Sequence, residues 1–152
     1  MAKLFPTRGA QYLMNSEFIF NFNDTAVDSV SVTLKTFGSV FTDAIVLDCI
    51  NLPPSAQLVG GDLIVETAGV GPTAYTAAFG VPGNAAIYLA ASSLLAAANT
   101  RYAFLTTTLL GSITGLNVRM TIASTVANAT AGRFRATIQW KIDGRMNEAT
   151  PA

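Results

Sequence analysis

Histidine is absent from this chain of 152 residues. That excludes serine and cysteine triads built on imidazole, the commonest zinc ligand, and the usual general base near neutral pH. Cysteine occurs once, at Cys49, so no intramolecular disulfide can form, and the surrounding run Asp43-Ala-Ile-Val-Leu-Asp-Cys-Ile50 predicts a small buried thiol of little reactivity. Charge is scarce: nine basic and nine acidic residues cancel, and together they make up only 12% of the chain against 51% apolar. A zero net charge argues against the broad electrostatic footprint of a nucleic-acid binder. Long hydrophobic runs are missing too. Ala85 to Ala98 is interrupted by Ser92 and Ser93 and falls short of the roughly 20 residues a membrane span needs. The segment Met1 to Tyr12 has no apolar core of signal-peptide length, which predicts synthesis in the cytoplasm. On that reading the triplets Asn23-Asp-Thr25 and Asn128-Ala-Thr130 carry no sugar.

What is present is strand pattern. In Arg133-Phe-Arg-Ala-Thr-Ile-Gln-Trp-Lys-Ile142 the residues Phe134, Ala136, Ile138, Trp140 and Ile142 alternate without a break with Arg133, Arg135, Thr137, Gln139 and Lys141. A helix would scatter the two sets, whereas the period of two in a strand separates them onto two faces. Glu17 to Asn23 places Phe18, Phe20 and Phe22 on one face and predicts the first strand. After a turn at Asp24-Thr-Ala26, Val30, Val32 and Leu34 alternate with polar residues and predict a second. Asp43 to Ile50 is a third, ended by Pro53-Pro54, which cannot donate to a ladder. Ala56 to Thr67 is a long strand in which Gly60-Gly61 permits a bulge. Turns at Gly69-Val-Gly-Pro72 and Gly80-Val-Pro-Gly83 frame Ala74 to Phe79. Further strands follow at Arg101 to Leu110 and Asn117 to Ser124, the latter with Val118, Met120 and Ile122 inward. Ile87 to Ala98, rich in alanine and leucine, is the one place where a short helix is expected.

Many short strands broken by Gly and Pro predict an all-β antiparallel β-sandwich in one domain, of jelly-roll or immunoglobulin-like winding. The expected division is an N-terminal arm over residues 1–16, the sandwich over 17–144 and a C-terminal tail over 145–152.

Tests for chemistry return little. Asp62 and Glu66 share a strand face but lie about 13 Å apart at a rise of about 3.3 Å per residue, with no apolar pocket in view to raise either pKa. Asp24, Asp28 and Asp43 match no calcium-loop spacing and read as turn formers. Gly69-Val-Gly71 lacks the lysine of a phosphate loop. No catalytic residue, cofactor or metal is expected. Surface remains: if the last two strands pair, Arg119, Arg133, Arg135 and Lys141 form a basic stripe suited to an acidic protein surface. The arm carries Phe5 and Tyr12 without a strand pattern, which calls for a docking surface on this subunit or a neighbour.

The block Ile50-Asn-Leu-Pro-Pro-Ser-Ala-Gln-Leu-Val-Gly-Gly-Asp-Leu-Ile-Val-Glu-Thr67, the Tyr88-Leu-Ala90 segment and the ending Trp140-Lys-Ile-Asp-Gly-Arg-Met-Asn-Glu148 resemble the capsid cement, or decoration, proteins of tailed bacteriophages. The resemblance spans Phe18 to Glu148 and rests on strand patterning and short turns. It implies a jelly roll; a homotrimer or homodimer; the phage major capsid protein as partner; and a place on the outer surface of the virion, across joints between capsid subunits. Contacts are expected in the arm at Lys3, Leu4, Phe5, Arg8 and Tyr12, in the stripe at Arg119, Arg133 and Arg135, and in the tail at Arg145, Asn147 and Glu148. The alternative is a carbohydrate- or receptor-binding jelly roll, such as a head-fibre component, using Tyr75, Tyr88 or Tyr102 as stacking platforms. A cupin-type enzyme would need histidine ligands that this chain lacks.

Overall fold

A computed structural model describes residues 13–40, 43–54, 56–105 and 117–142. Ten strands follow in order: β1 (Met14–Asn21), β2 (Thr25–Val27), β3 (Leu34–Thr36), β4 (Ile45–Asn51), β5 (Ala56–Val70), β6 (Ala74–Val81), β7 (Asn84–Ser93), β8 (Arg101–Ala103), β9 (Asn117–Thr125) and β10 (Ala131–Ile142). They make two four-stranded sheets, ordered β1-β10-β5-β8 and β4-β9-β6-β7, and a separate β2–β3 hairpin. Set the hairpin aside and the pairing is nested. The first strand pairs with the last, β4 with β9, β5 with β8, and β6 with β7, while β10–β5 and β9–β6 join the pairs into sheets. This is an antiparallel ribbon folded over on itself, the jelly-roll winding of a β-sandwich.

The alternation read in the sequence sets which face is buried. In β10, Phe134, Ala136 and Ile138 are fully buried, and in β9, Val118, Met120 and Ile122 face them from the other sheet. An aromatic cluster fills the sandwich between Phe20, Phe37, Phe134 and Tyr75, with ring centroids 5.2–5.8 Å apart, a spacing at which tilted and edge-on rings attract. The expected bulge is present: Trp140 opposes Leu58 and Gln139 opposes Gly60, so Val59 has no partner in β10. Gly61 is needed for a different reason. A Cβ there would lie 2.4 Å from the Thr137 carbonyl oxygen.

Three expectations are corrected. Ile87 to Ala98 is not helical; its first half is the second arm of the β6–β7 hairpin, with Leu89 opposite Phe79 and Ser92 opposite Ala77. Tyr88 and Leu89 are buried, and Leu94 is locked by its N–H to the Tyr75 carbonyl and by its own carbonyl to the Gly69 N–H, each at 2.8 Å. The Pro82-Gly83 turn delivers the segment to an open sheet edge, and that pairing outweighs the helical preference of alanine and leucine. Second, no strand spans 29–35. The chain turns already at Phe22-Asn23, forms β2 where a turn was expected, and reverses around Asp28 into β3. Val30, Val32 and Leu34, whose alternation predicted that strand, are 71%, 77% and 69% exposed. Third, β9 and β10 do not pair; they lie in different sheets, so the premise of the arginine stripe fails. The strand expected over Arg101 to Leu110 is seen as β8 at its start, and residues 106–116 lie outside the described residues.

Candidate functional site

The most unusual local structure is the β2–β3 hairpin, and it is organised by one carboxylate. Asp28, 2% exposed, accepts hydrogen bonds at Oδ1 from the Val30 N–H (2.9 Å), the Ser31 N–H (2.6 Å) and the Ser31 hydroxyl (3.0 Å). At Oδ2 it accepts from the Val46 N–H (2.9 Å) and from Lys35 Nζ (3.3 Å). An Asp bonding the backbone two and three residues on makes an Asx-type turn. The bond to Val46 and the Ser29 N–H to Val46 carbonyl bond (2.7 Å) pin that turn to the outer edge of β4. Burial pushes the Asp28 carboxyl up, but the N–H groups of Ser31, Val46 and Val30 and the Ser31 hydroxyl outweigh it and hold the group well below the carboxylate range.

The result is a rigid apolar projection. Val27, Val30, Val32 and Leu34 are all more than half exposed on a loop with no freedom to fold them inward. Val32 sits at φ 55°, a left-handed conformation that costs a β-branched residue roughly 1–2 kcal/mol. Three more exposed valines are Val40 and Val126, on loops, and Val70, at the end of β5; these segments are tied together by Val40 N–H to Asn128 Oδ1 (2.8 Å), Ala129 N–H to Gly38 carbonyl (2.7 Å) and Thr130 N–H to Val70 carbonyl (2.8 Å). Periodicity reasoning missed this surface because it read the alternating valines as part of a strand. The Asp at position 28, followed by two serines, was the available turn signal.

The expected contact residues fall elsewhere. Lys3, Leu4, Phe5, Arg8 and Tyr12, and Arg145, Asn147 and Glu148, lie outside the described residues. Arg119 stands on β9 beside Asp48, its Nε 2.8 Å from Oδ1; that bond holds the Asp48 carboxyl below its usual value. Arg133 and Arg135 share β10 and both meet Glu66, Arg133 at 2.7 Å, and Arg135 also reaches Glu17 at 3.1 Å. Burial raises the Glu66 carboxyl, and the two arginines more than offset it, so it too sits low. The arginines are therefore neutralised in place, by cross-strand carboxylates on their own sheets. Asp62, on the same strand as Glu66, pairs instead with Arg101 at 3.2 Å.

Other chemistry is equally quiet. Cys49 donates to the Val118 carbonyl at 3.2 Å, and burial pushes its thiol up to about 12, which leaves almost no thiolate at neutral pH. Of the three tyrosines considered as sugar platforms, Tyr75 and Tyr88 are buried in the sandwich, and Tyr102 spends its hydroxyl on the Ser93 carbonyl at 2.9 Å. Among the described residues no group of three or more His, Cys, Asp or Glu is placed to hold a metal, and no helix is long and apolar enough to cross a membrane.

No protein-family model matches the sequence, and no curated protein matches it. Among solved structures the fold is similar to a chain of the cyanophage Pam1 capsid asymmetric unit, at 18% identity and a TM-score of 0.58 over 93% of this chain and 92% of that one. It is also similar to a chain of the acid-stable capsid of Helicobacter pylori bacteriophage KHP30, at 12% identity and a TM-score of 0.59 over 89% of this chain and 92% of that one. At these identities the likeness is one of fold.

Proposed function

We propose that this chain is a structural protein of a phage virion, a jelly-roll subunit that binds the outside of the head and cements neighbouring major capsid subunits. The observation that carries this reading is the rigid, solvent-facing apolar hairpin held by Asp28, on a body whose charged side chains are largely committed to one another. Such a surface is built for contact with protein, and it occurs on a fold that matches, nearly end to end, chains found in two phage capsids. The remaining contacts are assigned to the arm (Lys3, Leu4, Phe5, Arg8, Tyr12) and to the tail (Arg145, Asn147, Glu148). The subunit acts as a homotrimer or homodimer. Many weak clamps repeated over a lattice add through avidity and resist the pressure of packaged DNA.

The test is co-sedimentation with expanded heads of the parent phage stripped of accessory proteins. Saturable binding that raises the temperature of head rupture is the expected result, and binding weakens at least tenfold when Val30, Val32 and Leu34 are all changed to serine. Heads that neither bind the protein nor gain resistance would refute the cementing role. Undiminished binding by the triple variant would move the contact away from the hairpin.

A further inference from the structure

The sandwich has an open side. β1 is the edge of one sheet and β4 the edge of the other, and between them lies a cleft of about 500 Å³ lined by Phe18, Ile19, Asp24, Ala26, Phe37 and Leu47 among others. Phe37 and Leu47 belong to the buried core, so the cleft reaches apolar side chains from outside. Among the described residues Asp24 is the only charged one lining it. The bonds Asp24 accepts from the Asn21 N–H (2.7 Å) and side-chain amide (3.0 Å) both fall on Oδ2. Beside the cleft, β1 pairs with β10 alone among the described residues, and such an edge readily takes an added strand.

We propose that this cleft receives the N-terminal arm, residues 1–12, of a second copy of the chain. The complement to an aromatic floor with a lone carboxylate is an apolar or aromatic side chain flanked by cations. Three stretches of more than two residues lie outside the described ones: 1–12, 106–116 and 143–152. Residues 106–116 have no charge, and 143–152 carry Asp143, Arg145 and Glu148. Only 1–12 is purely basic, with Lys3 and Arg8 around Leu4-Phe5. The arm of the same chain is a poor occupant. A two-residue reversal using Gly9, its one glycine, sets Phe5 opposite residue 12 or 14, at least about 13 Å short of Phe18 at a strand rise of about 3.4 Å. An arm arriving from a neighbour has no such limit. The inference rests on the self-association and the docking role of the arm in the proposed function, and it seats Leu4 and Phe5 on a second copy rather than on the capsid.

The test uses two chains, Leu4→Cys and Ile19→Cys, mixed in equal amounts and oxidised without any capsid present; the half-buried Cys49 thiol, bonded to the Val118 carbonyl and almost wholly protonated at neutral pH, does not compete. A disulfide joining the two different chains, far exceeding that in either chain alone, is expected. In the same preparation, Phe5→Ser and Asp24→Asn each raise the dissociation constant of self-association at least fivefold by sedimentation equilibrium. Absence of the mixed disulfide, an intrachain bond in a chain carrying both cysteines, or self-association unchanged by both variants overturns the proposal. Head binding, measured separately on the same proteins, reports on the cementing role alone, so either reading can fail while the other stands.

Discussion

Asp28 joins five donors from four residues in one buried carboxylate, and it is the residue whose loss the hairpin cannot absorb. Replacing it by asparagine keeps an acceptor but removes the charge facing Lys35 and the second acceptor oxygen; the cost is about 2 kcal/mol by urea denaturation. The pH dependence has a definite sign. The folded value lies well below the ordinary 3.8, so the ionised form stabilises the fold fully above that ordinary value, and the benefit drains away as pH falls toward the folded value. The stability gap between the native chain and Asp28→Asn is therefore flat from neutrality to about pH 5 and narrows progressively below about pH 4. Val32 offers the opposite kind of change. At φ 55° and 77% exposed it loses no burial on replacement, and asparagine tolerates that backbone without the entropy penalty of glycine. Val32→Asn raises stability by about 1 kcal/mol in thermal melts. Asp28 was legible in the sequence as a turn former; that its other oxygen reaches Val46 was not, because the contact depends on where β4 runs.

Strands with unbroken alternation, β9 and β10, declared themselves, since a strand covered on one face leaves a period of two that no helix imitates. β7 did not, because its Ala-Leu composition prefers helix locally and only the adjacent β6 makes the extended form better. The 29–35 segment failed in the reverse sense: its alternation was real, but a hairpin too small to own a core leaves every apolar residue in solvent. The Gly60-Gly61 pair was read as permission for a bend, and the structure adds a prohibition. Gly61→Ala forces the β5 backbone from Thr137 of β10, and a loss of about 2 kcal/mol or more is expected in urea titrations. Gly83, with open space around its missing side chain, suffers under the same replacement only through its φ of 91°, by about 1 kcal/mol. Comparing the two separates steric from torsional cost.

That the molecule is a β-sandwich could be read from strand spacing; the winding could not, since local patterns do not say which strands meet. The nested pairing is what misplaced Arg119, by sending β9 and β10 to opposite sheets although they are neighbours in the chain. It also sets β1 against β10 in antiparallel register, Met14 opposite Trp140, so the start of β1 and the end of β10 lie side by side. Tension drawn between those two ends acts across the ladder rather than along it, and its bonds yield one after another, as a zip opens. Handles placed at positions 13 and 142 in an optical trap should peel β1 away at low force, whereas pulling from 13 and 131, at opposite ends of the β1–β10 ladder, loads its bonds together and should meet a much higher threshold. A clamp strung between arm and tail would therefore let go gradually when a shell strains, and could close again by the same path once the strain relaxes.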